Sequence, residues 1–234
     1  MRVCELRRVN KGAKGASFVR AWYYSPLARC VTKSVLSQLG RIHDCVLDVG
    51  CGFGKATVTI ESSCNYVVGI DIQNNFDRSK ISPRLDYCLA DAFRLPFRDG
   101  CIDGSISVDV IEHVRECLGF LVELKRVIKK GGLLILATPN RNRLSNQLKT
   151  TLRKPVKYPL CLGTDPIIGE CLHIREFSKN DLTQLLSGAG FVGIEVRGVW
   201  LGIPFKRIEV GLTSFPAFFE RYSQYWVAKA VNPI

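Results

Sequence analysis

The chain has 234 residues, a length that suits one large domain, and a formal net charge of +12. Hydrophobic residues make up 47% and charged residues 23%, which excludes a chain disordered by composition. No apolar run reaches the ~18 residues of a membrane-spanning helix, and residues 1–15 lack the apolar block of a signal peptide. We therefore expect one domain over residues 1–234, located in the cytoplasm.

The basic residues are concentrated in two segments. Residues 1–40 contain eight Arg or Lys against one acid, and residues 141–157 contain six and no acid. Such an excess favours an acidic partner, which could be an anionic small molecule, a nucleic acid or a membrane surface. A solvated basic face is the simpler alternative. The segment 215–226 is mildly amphipathic, which adds a second possible membrane contact.

The ten cysteines contain no C-x-x-C pair, the close spacing that structural zinc sites use. Small apolar thiols pack well in and beside strands, so we expect reduced cysteines in the core. Disulfides are the minority alternative. We expect no bound metal.

Residues 1–40 predict one or two helices, and from residue 45 short β-rich runs alternate with helix-length segments. The predicted strands are Cys45–Val49, Tyr66–Ile70, Leu85–Leu89, Ile102–Val108, Leu133–Ala137, Phe191–Val196 and Tyr225–Ala230. The predicted helices are Lys55–Ser62, Arg115–Lys130 and Lys179–Ser187, the last opened by a capping box of Ser178 and Asp181. This alternation predicts an α/β fold with a doubly wound, mostly parallel sheet.

The long segment 139–177 interrupts this alternation with basic residues and prolines. Loops of this length usually serve as lids or binding loops. We divide the domain into a helical cap (1–40), a cofactor-binding core (41–138), a lid insertion (139–177) and the C-terminal part of the sheet (178–234). The cap and the lid insertion should lie near the carboxyl edge of the sheet, where ligands bind in this architecture.

The strongest motif is the run from Val46 to Gly54, in which a buried strand ends in a glycine-rich turn that opens a helix. Glycines at 50, 52 and 54 permit positive φ and let a ligand approach the backbone closely. Because related nucleotide-binding folds also use such turns, the glycines alone do not identify the cofactor.

Acids at the ends of the next two strands narrow the choice. Asp71 suits a ribose diol, because a carboxylate accepts hydrogen bonds from both hydroxyls. Asp91, followed by the small Ala92, suits an adenine amino group and a ring nitrogen. The alternatives are a strand-end turn residue at Asp71 and a helix cap at Asp91.

In their order these motifs resemble the class I S-adenosylmethionine-dependent methyltransferases, particularly the small-molecule branch with ubiquinone and menaquinone biosynthesis enzymes. The resemblance covers roughly residues 40–200. It implies a seven-stranded Rossmann-like methyltransferase fold with an antiparallel final strand, and S-adenosylmethionine as cofactor. By this resemblance Asp48 and the turn Gly50, Cys51, Gly52 and Gly54 contact the methionine part, Asp71 and Ile72 the ribose, Asp91 and Ala92 the adenine, and Asp109 lines the cofactor and substrate face. Cys51 is interpreted as space-filling.

Asp109, Glu112 and His113 follow the fourth strand at spacings that would share one face of a helix. His113 is then a candidate base for an oxygen acceptor, with Asp109 as its catalytic partner. Alternatively the three hold a divalent ion, as is proposed for similar quinone-pathway enzymes, or Glu112 and His113 only fix the turn and the lid insertion. His173 is a second candidate base or an ordinary loop histidine.

The expected reaction is methyl transfer to oxygen or carbon of a small molecule, and the basic segments favour an anionic or lipid-linked one. An RNA methyltransferase built on the same domain is the first alternative. A nicotinamide-dependent oxidoreductase is the second, but its G-x-G-x-x-G fingerprint requires glycine where the chain has Lys55.

Overall fold

The computed structural model describes residues 26–40, 43–165, 169–205 and 208–234. In chain order its strands are β1 (His43–Val49), β2 (Cys64–Asp71), β3 (Leu85–Leu89), β4 (Ile102–Val108), β5 (Ile128–Pro139), β6 (Leu160–Asp165), β7 (Gly169–His173), β8 (Val192–Val199), β9 (Leu201–Phe205), β10 (Ile208–Leu212) and β11 (Tyr225–Val231). Its α-helices are α1 (Pro26–Leu39), α2 (Lys55–Ile60), α3 (Cys117–Val127), α4 (Leu144–Thr151) and α5 (Lys179–Gly188).

Seven strands form one sheet in the order β3-β2-β1-β4-β5-β11-β8. Strand β11 runs antiparallel to both of its neighbours, and the other six strands are parallel to one another. This confirms the predicted doubly wound sheet and its antiparallel last strand. The order reverses at β1, which lies between β2 and β4, so the site expected in such a sheet is the crevice beyond the carboxyl ends of these strands.

The pairing register places the predicted site residues at that crevice. Val49 at the end of β1 pairs with Ile70 on one side and Ser107 on the other. The glycine turn after β1, Asp71 at the end of β2 and Asp109 after β4 therefore leave the sheet at the same edge.

Helices bury both faces of the sheet. Apolar residues of α3 and α5 pack on one face with those of β5, among them Phe120, Leu124, Leu182, Leu186 and Leu134. On the other face α1 packs Leu27, Val31, Val35 and Leu39 against Val46, Ile106 and Ile135. Because each fully buried apolar side chain contributes about 1.5–3 kcal/mol, the sheet is a rigid base for the loops at its carboxyl edge. The predicted helices before Pro26 lie outside the described residues.

Most predicted elements are present, and the bounds of several differ from the prediction by a few residues. The helix predicted to Lys130 ends at Val127, and β5 begins at Ile128 rather than at Leu133. The Asn232 amide donates hydrogen bonds to the carbonyl oxygens of Lys125 and Ile128 at this junction. A partner more than 100 residues away cannot be read from local periodicity.

The lid insertion has secondary structure of its own, contrary to the expected loop. It contains α4 and an antiparallel hairpin of β6 and β7. A second antiparallel hairpin, β9 and β10, precedes the final strand, and no sequence pattern predicted it. The capping box of Ser178 and Asp181 at the start of α5 is confirmed.

Two sequence expectations concern chemistry outside the sheet. Eight cysteines in the described part of the chain are free thiols. None of the described helices has the length and apolar character that crossing a bilayer requires.

Candidate active site

The glycine turn after β1 has the backbone conformation that its sequence predicts. Gly50, Gly52 and Gly54 have φ values of 76°, 50° and 74°, in the left-handed region that side chains disfavour. The backbone N–H of Gly50 donates to the Ile70 carbonyl oxygen at 2.9 Å, which ties the turn to β2.

The glycines of this turn were predicted to let a ligand approach the backbone closely. Part of this space is taken by side chains of the protein itself. A Cβ at Gly50 would lie 2.2 Å from Val110 Cγ2, and one at Gly54 would lie 2.2 Å from the Phe76 ring. Phe76 is buried and stacks on Tyr87 with 4.8 Å between ring centroids, so it has little freedom to move. The two outer glycines are therefore required by packing as well as by φ.

Cys51 is buried inside this turn, with its Sγ against Gly69. Burial raises the pKa of the thiol far above its ordinary value, so the thiolate is absent at neutral pH. The position agrees with the space-filling interpretation of Cys51.

Asp71 connects the second strand to the glycine turn. Its Oδ2 accepts the Gly52 N–H at 2.9 Å, and its Oδ1 accepts the Gln73 N–H at 2.8 Å. Each carboxylate oxygen has a second acceptor direction, so the group can still bind a ribose diol. Ile72, which follows it, is 71% exposed and offers an apolar surface at the rim.

Asp91 lies beside Asp71, because the Ala90 N–H donates to the Asp71 carbonyl oxygen at 3.0 Å. Its Oδ1 accepts the Phe93 N–H at 2.9 Å. One oxygen of the carboxylate is therefore engaged in a local turn, as in the alternative interpretation of Asp91 as a cap. Its carboxylate is exposed, and Ala92 after it is half-buried. The adenine role of this pair stays a prediction.

A cavity of about 350 Å³ lies between α1, the glycine turn, α2 and the end of β4. It is lined by Ala28, Arg29, Thr32, Lys33, Leu36, Asp48, Gly50, Cys51, Lys55, Ala56, Thr59, Val108 and Asp109. Two acids from the ends of central strands, Asp48 and Asp109, thus share a cavity with three bases, Arg29, Lys33 and Lys55. Arg29 and Lys33 were not among the predicted site residues. Their i, i+4 spacing, on a side of α1 away from its apolar face, could have indicated them.

Asp48 is buried at the end of β1 and accepts the Thr57 hydroxyl at 2.6 Å. Burial raises its pKa to about 6, and the negative charge of Asp71 adds to the increase. A cationic group placed beside this carboxyl would favour its ionised form.

Asp109 has a φ of 56°, an uncommon conformation for a residue with a side chain. Such backbone strain costs about 1–3 kcal/mol and is found most often at functional sites. Its carboxyl is buried and accepts a hydrogen bond from the Tyr225 hydroxyl, and burial raises its pKa to about 6. The sequence gave no indication of Tyr225 as a partner.

The segment after β4 is not an α-helix, so the shared helix face expected for Asp109, Glu112 and His113 does not form. After the left-handed Asp109, residues Ile111–His113 make a single 3₁₀ turn. The buried carboxyls of Asp109 and Glu112 still interact, whereas His113 turns toward the lid insertion.

Glu112 is fully buried and holds two segments together. Its carbonyl oxygen accepts the Ile174 N–H at 2.9 Å, and its Oε2 accepts the Thr138 hydroxyl at 2.9 Å. Burial, followed by the charge of Asp109, raises the pKa of Glu112 well above its ordinary value. The Asp109–Glu112 pair therefore retains a proton near neutral pH.

His113 and His173 lie edge to face, with 4.9 Å between ring centroids. His113 Nδ1 is 2.7 Å from the Leu172 carbonyl oxygen, which can only accept, so Nδ1 carries the hydrogen. Loss of hydration lowers the pKa of His113, which leaves the ring neutral with a lone pair on Nε2. The fixing of the lid insertion by Glu112 and His113 agrees with their structural interpretation.

Glu112, His113 and His173 each offer one ligand atom, and these atoms lie within 4.8 Å of one another. Such a set suits a divalent ion as well as a hydrogen-bond donor. Its members differ from the trio that the sequence suggested, because His173 takes the place of Asp109. Asp109 is among the described residues that line the cavity, whereas the two histidines are not. Glu112 therefore links the cavity to the two histidines.

Comparisons with known proteins identify the family, the fold and the cofactor. Residues 47–136 match the family model described as a methyltransferase domain. The chain belongs to the class I S-adenosylmethionine-dependent methyltransferases. A Mycobacterium tuberculosis protein named Probable S-adenosylmethionine-dependent methyltransferase is 30% identical over 163 residues, covering 67% of this chain and 52% of the relative.

Two further matches are aligned over more of their own length. The ubiquinone biosynthesis O-methyltransferase of Dinoroseobacter shibae is 27% identical over 161 residues, 66% of this chain and 62% of the relative. A solved S-adenosylmethionine-dependent methyltransferase of Thermotoga maritima has a TM-score of 0.62 at 19% identity, covering 93% of this chain and 95% of that one. The chain spans about half the length of the mycobacterial relatives that it matches.

The family, the cofactor and the sheet topology expected from the sequence are thus confirmed. The nicotinamide-dependent alternative is set aside, because the matching family uses a different cofactor. No comparison tests the roles of individual residues, which stay predictions.

Proposed function

We propose that the protein transfers the methyl group of S-adenosylmethionine to an oxygen of a small anionic molecule. The observation that carries this proposal is the cavity in which Asp48 and Asp109 meet the bases of α1, Arg29 and Lys33. The acids belong to the cofactor side of the family pattern. One of the three basic side chains that line the cavity suits the carboxylate of the cofactor, and the other two suit a negative charge on the acceptor.

The bound cofactor supplies a methyl group made electrophilic by its positively charged sulfur. The chain then has to hold an acceptor lone pair in line with that methyl group, and such positioning is worth about 7–11 kcal/mol. The glycine turn and Asp48 hold the methionine part, while Asp71 and Asp91 hold the adenosine. The rigid edge of the sheet keeps these groups in a fixed relation.

A hydroxyl acceptor must lose its proton, and Asp109 is placed to accept it. It lines the cavity, and its pKa of about 6 leaves it largely ionised at neutral pH yet basic enough to bind a proton. A general base is typically worth ~10²–10⁴-fold in rate. The printed name of the Dinoroseobacter relative, an O-methyltransferase, supports oxygen as the acceptor atom. Carbon is the alternative, for which no base is needed at the transfer step.

The surface of the lid insertion favours a second property of the acceptor. Leu148 on α4 and Leu152 just after it are 49% and 62% exposed, next to the exposed basic residues Lys149, Arg153 and Lys154. This combination suits an acceptor that carries a lipid chain, or one presented at an anionic membrane. An RNA substrate would use the bases without the leucines.

The test is incubation of the protein with radiolabelled methyl donor and fractionated cell extract. We expect label in acidic small molecules, in either the aqueous or the lipid fraction, and release of that label as methyl iodide by hot hydriodic acid, which cleaves O-methyl groups but not carbon–methyl bonds. Label in RNA would overturn the proposal in favour of an RNA methyltransferase. Asp109→Asn should reduce transfer at least ~10²-fold while leaving binding of S-adenosylhomocysteine within a few-fold.

A further inference from the structure

The lid insertion contains a carboxylate that no solvent reaches. The Glu176 side chain is 0% exposed, yet it is surrounded by hydrogen-bond donors. Its Oε2 accepts bonds from the Arg143 guanidinium, from the Tyr158 hydroxyl at 2.6 Å and from the Asn146 amide at 3.1 Å. Its Oε1 faces His173 Nδ1 at 3.2 Å. The two oxygens thus have different partners, three donors on one and a histidine on the other.

The charge of Glu176 determines which nitrogen of His173 carries the hydrogen. Burial alone would raise the pKa of Glu176, but the bond from His173 and the charge of Arg143 lower it to about 2. The carboxylate is therefore ionised at neutral pH and can only accept. His173 must donate through Nδ1, and in the Nδ1–H tautomer the lone pair lies on Nε2.

That lone pair points toward the candidate active site. His173 Nε2 lies 4.0 Å from Glu112 Oε1, which receives no hydrogen bond from any donor in the described residues. The Glu112 carboxyl interacts in turn with Asp109, which lines the cavity. A continuous set of proton-binding groups thus runs from the cavity to the centre of the lid insertion.

We propose that Glu176 is a positioning residue, which holds His173 in the Nδ1–H tautomer so that its Nε2 lone pair faces the Glu112 carboxyl. The role rests on the proposed function, because Glu112 interacts with Asp109, the residue that takes the proton of a hydroxyl acceptor there. In this orientation His173 Nε2 can accept a hydrogen bond from the Asp109–Glu112 pair once the 4.0 Å gap closes by about 1 Å, as catalytic hydrogen bonds commonly do when substrate binds.

Replacing the carboxylate by an amide makes a specific prediction. In Glu176→Gln, Arg143 and Asn146 still require an acceptor where Oε2 stood, because a guanidinium and an amide NH₂ only donate. The glutamine oxygen takes that position, and its NH₂ group faces His173. His173 Nδ1 must then accept, and the hydrogen moves to Nε2. The lone pair facing Glu112 is lost, although the shape of the side chain is unchanged.

Nitrogen NMR measures this directly, because the chain has three histidines and long-range ¹H–¹⁵N spectra distinguish the two tautomers. Each ring is assigned by its own His→Gln variant. In the natural protein we expect Nδ1–H for both His113 and His173. Glu176→Gln should switch His173 to Nε2–H and leave His113 unchanged, because His113 is set by the Leu172 carbonyl. Tyr158→Phe removes a different partner of Glu176, so it is the matched control and should leave both tautomers unchanged.

Two outcomes would overturn the proposal: an Nε2–H tautomer of His173 in the natural protein, or an unaltered tautomer in folded Glu176→Gln. The first needs no variant, so it decides the matter even where the glutamine variant fails to fold. With an acceptor in hand, Glu176→Gln should lower kcat by at least ~10²-fold, while the Kd of S-adenosylhomocysteine changes less than about twofold. If the natural protein does not bind S-adenosylhomocysteine, the proposed function is refuted. The tautomer of His173 is measured independently of cofactor binding, so that result does not depend on the proposed function.

Discussion

The two halves of the candidate site are built in different ways. The cofactor half consists of the glycine turn and the ends of β1, β2 and β3, and its acids accept hydrogen bonds from backbone N–H groups nearby. The lid half joins Asp109 and Glu112 to His173 and Glu176, residues about 60 positions later. The first half is a surface shaped by backbone geometry. The second is a buried polar core whose charges depend on distant partners.

This difference predicts different responses to substitution. Altering the cofactor half should change ligand affinity more than the fold, except at the glycines that contact side chains. Altering the lid half should cost stability first, because an unpaired buried charge cannot be hydrated. The experiments below are ordered by the size of the expected effect.

The largest effect is expected for Glu176→Ala. Removing the carboxylate leaves Arg143, which is 13% exposed, without its anionic partner and removes the acceptor for Tyr158 and Asn146. Breaking a buried ion pair on one side costs about 3–5 kcal/mol. We expect that decrease in the free energy of unfolding, measured by urea denaturation monitored by fluorescence.

The matched control is an ion pair on the surface. Arg197 and Glu195 are joined at 2.9 Å, but their side chains are 67% and 56% exposed. Arg197→Ala should therefore change the free energy of unfolding by less than about 1 kcal/mol. Equal losses in the two variants would mean that the network around Glu176 is no more than a solvated surface cluster.

The second prediction concerns the cofactor half. It separates the loss of stability caused by packing at a glycine from the loss caused by its backbone conformation. Gly54 and Gly40 have nearly the same φ, 74° and 75°, but a Cβ at Gly54 meets the Phe76 ring whereas one at Gly40 meets nothing within 4 Å. The left-handed conformation costs a residue with a side chain about 1–2 kcal/mol, and overpacking adds about 1–3 kcal/mol.

Both glycines should therefore be replaced by alanine and compared by thermal and urea unfolding. We expect Gly54→Ala to lose about 1–3 kcal/mol more stability than Gly40→Ala, and to bind S-adenosylhomocysteine more weakly. Restored stability in the double variant Gly54→Ala, Phe76→Leu would locate the cost at this contact. Identical losses at the two glycines would show that the Phe76 ring moves aside.

The same contrast explains how much the sequence could predict. In the cofactor half, the backbone conformation of the glycine turn and the places of the strand-end acids agree with the sequence prediction, because glycine at a positive φ and an acid at a strand end are requirements of single positions; the roles of these residues stay predictions. The bounds of β3 and β4 were predicted without error. These features depend on neighbours within a few residues.

The lid half could be predicted only as a set of candidate residues. His113 and His173 were both identified, but their meeting depends on the β6–β7 hairpin, whose sequence has no clear alternation of apolar and polar residues. The spacing of Asp109 with the residues that follow it suggested a shared helix face. The left-handed backbone at Asp109 is not compatible with that helix. Tyr225 and Glu176 reach the site from later strands and loops, and no local pattern indicates which distant polar groups meet.

A third, smaller effect is expected for Asp71. Asp71→Ala removes two ribose acceptors and also the bond to the Gly52 N–H, so binding of S-adenosylhomocysteine should weaken by about 1.5–3 kcal/mol. Asp71→Asn keeps an oxygen for Gly52 and should retain the turn, which makes it the control for loop geometry. Calorimetry measures both variants, and an unchanged Kd in Asp71→Ala would contradict the ribose role.

The smallest effect, a pH dependence, tests whether Asp48 meets the cationic part of the cofactor. Its pKa of about 6 means that its carboxyl is mostly protonated at pH 5 and ionised at pH 7. If the cofactor ammonium requires the ionised form, the Kd of S-adenosylhomocysteine should be about tenfold weaker at pH 5 than at pH 7, or about 1.4 kcal/mol. Asp48→Asn should bind more weakly at pH 7 and lose the dependence. Asp109, with a similar pKa in the same cavity, is the rival source. A dependence that survives Asp48→Asn and disappears in Asp109→Asn would assign the cofactor ammonium to Asp109 and leave Asp48 a structural role with Thr57.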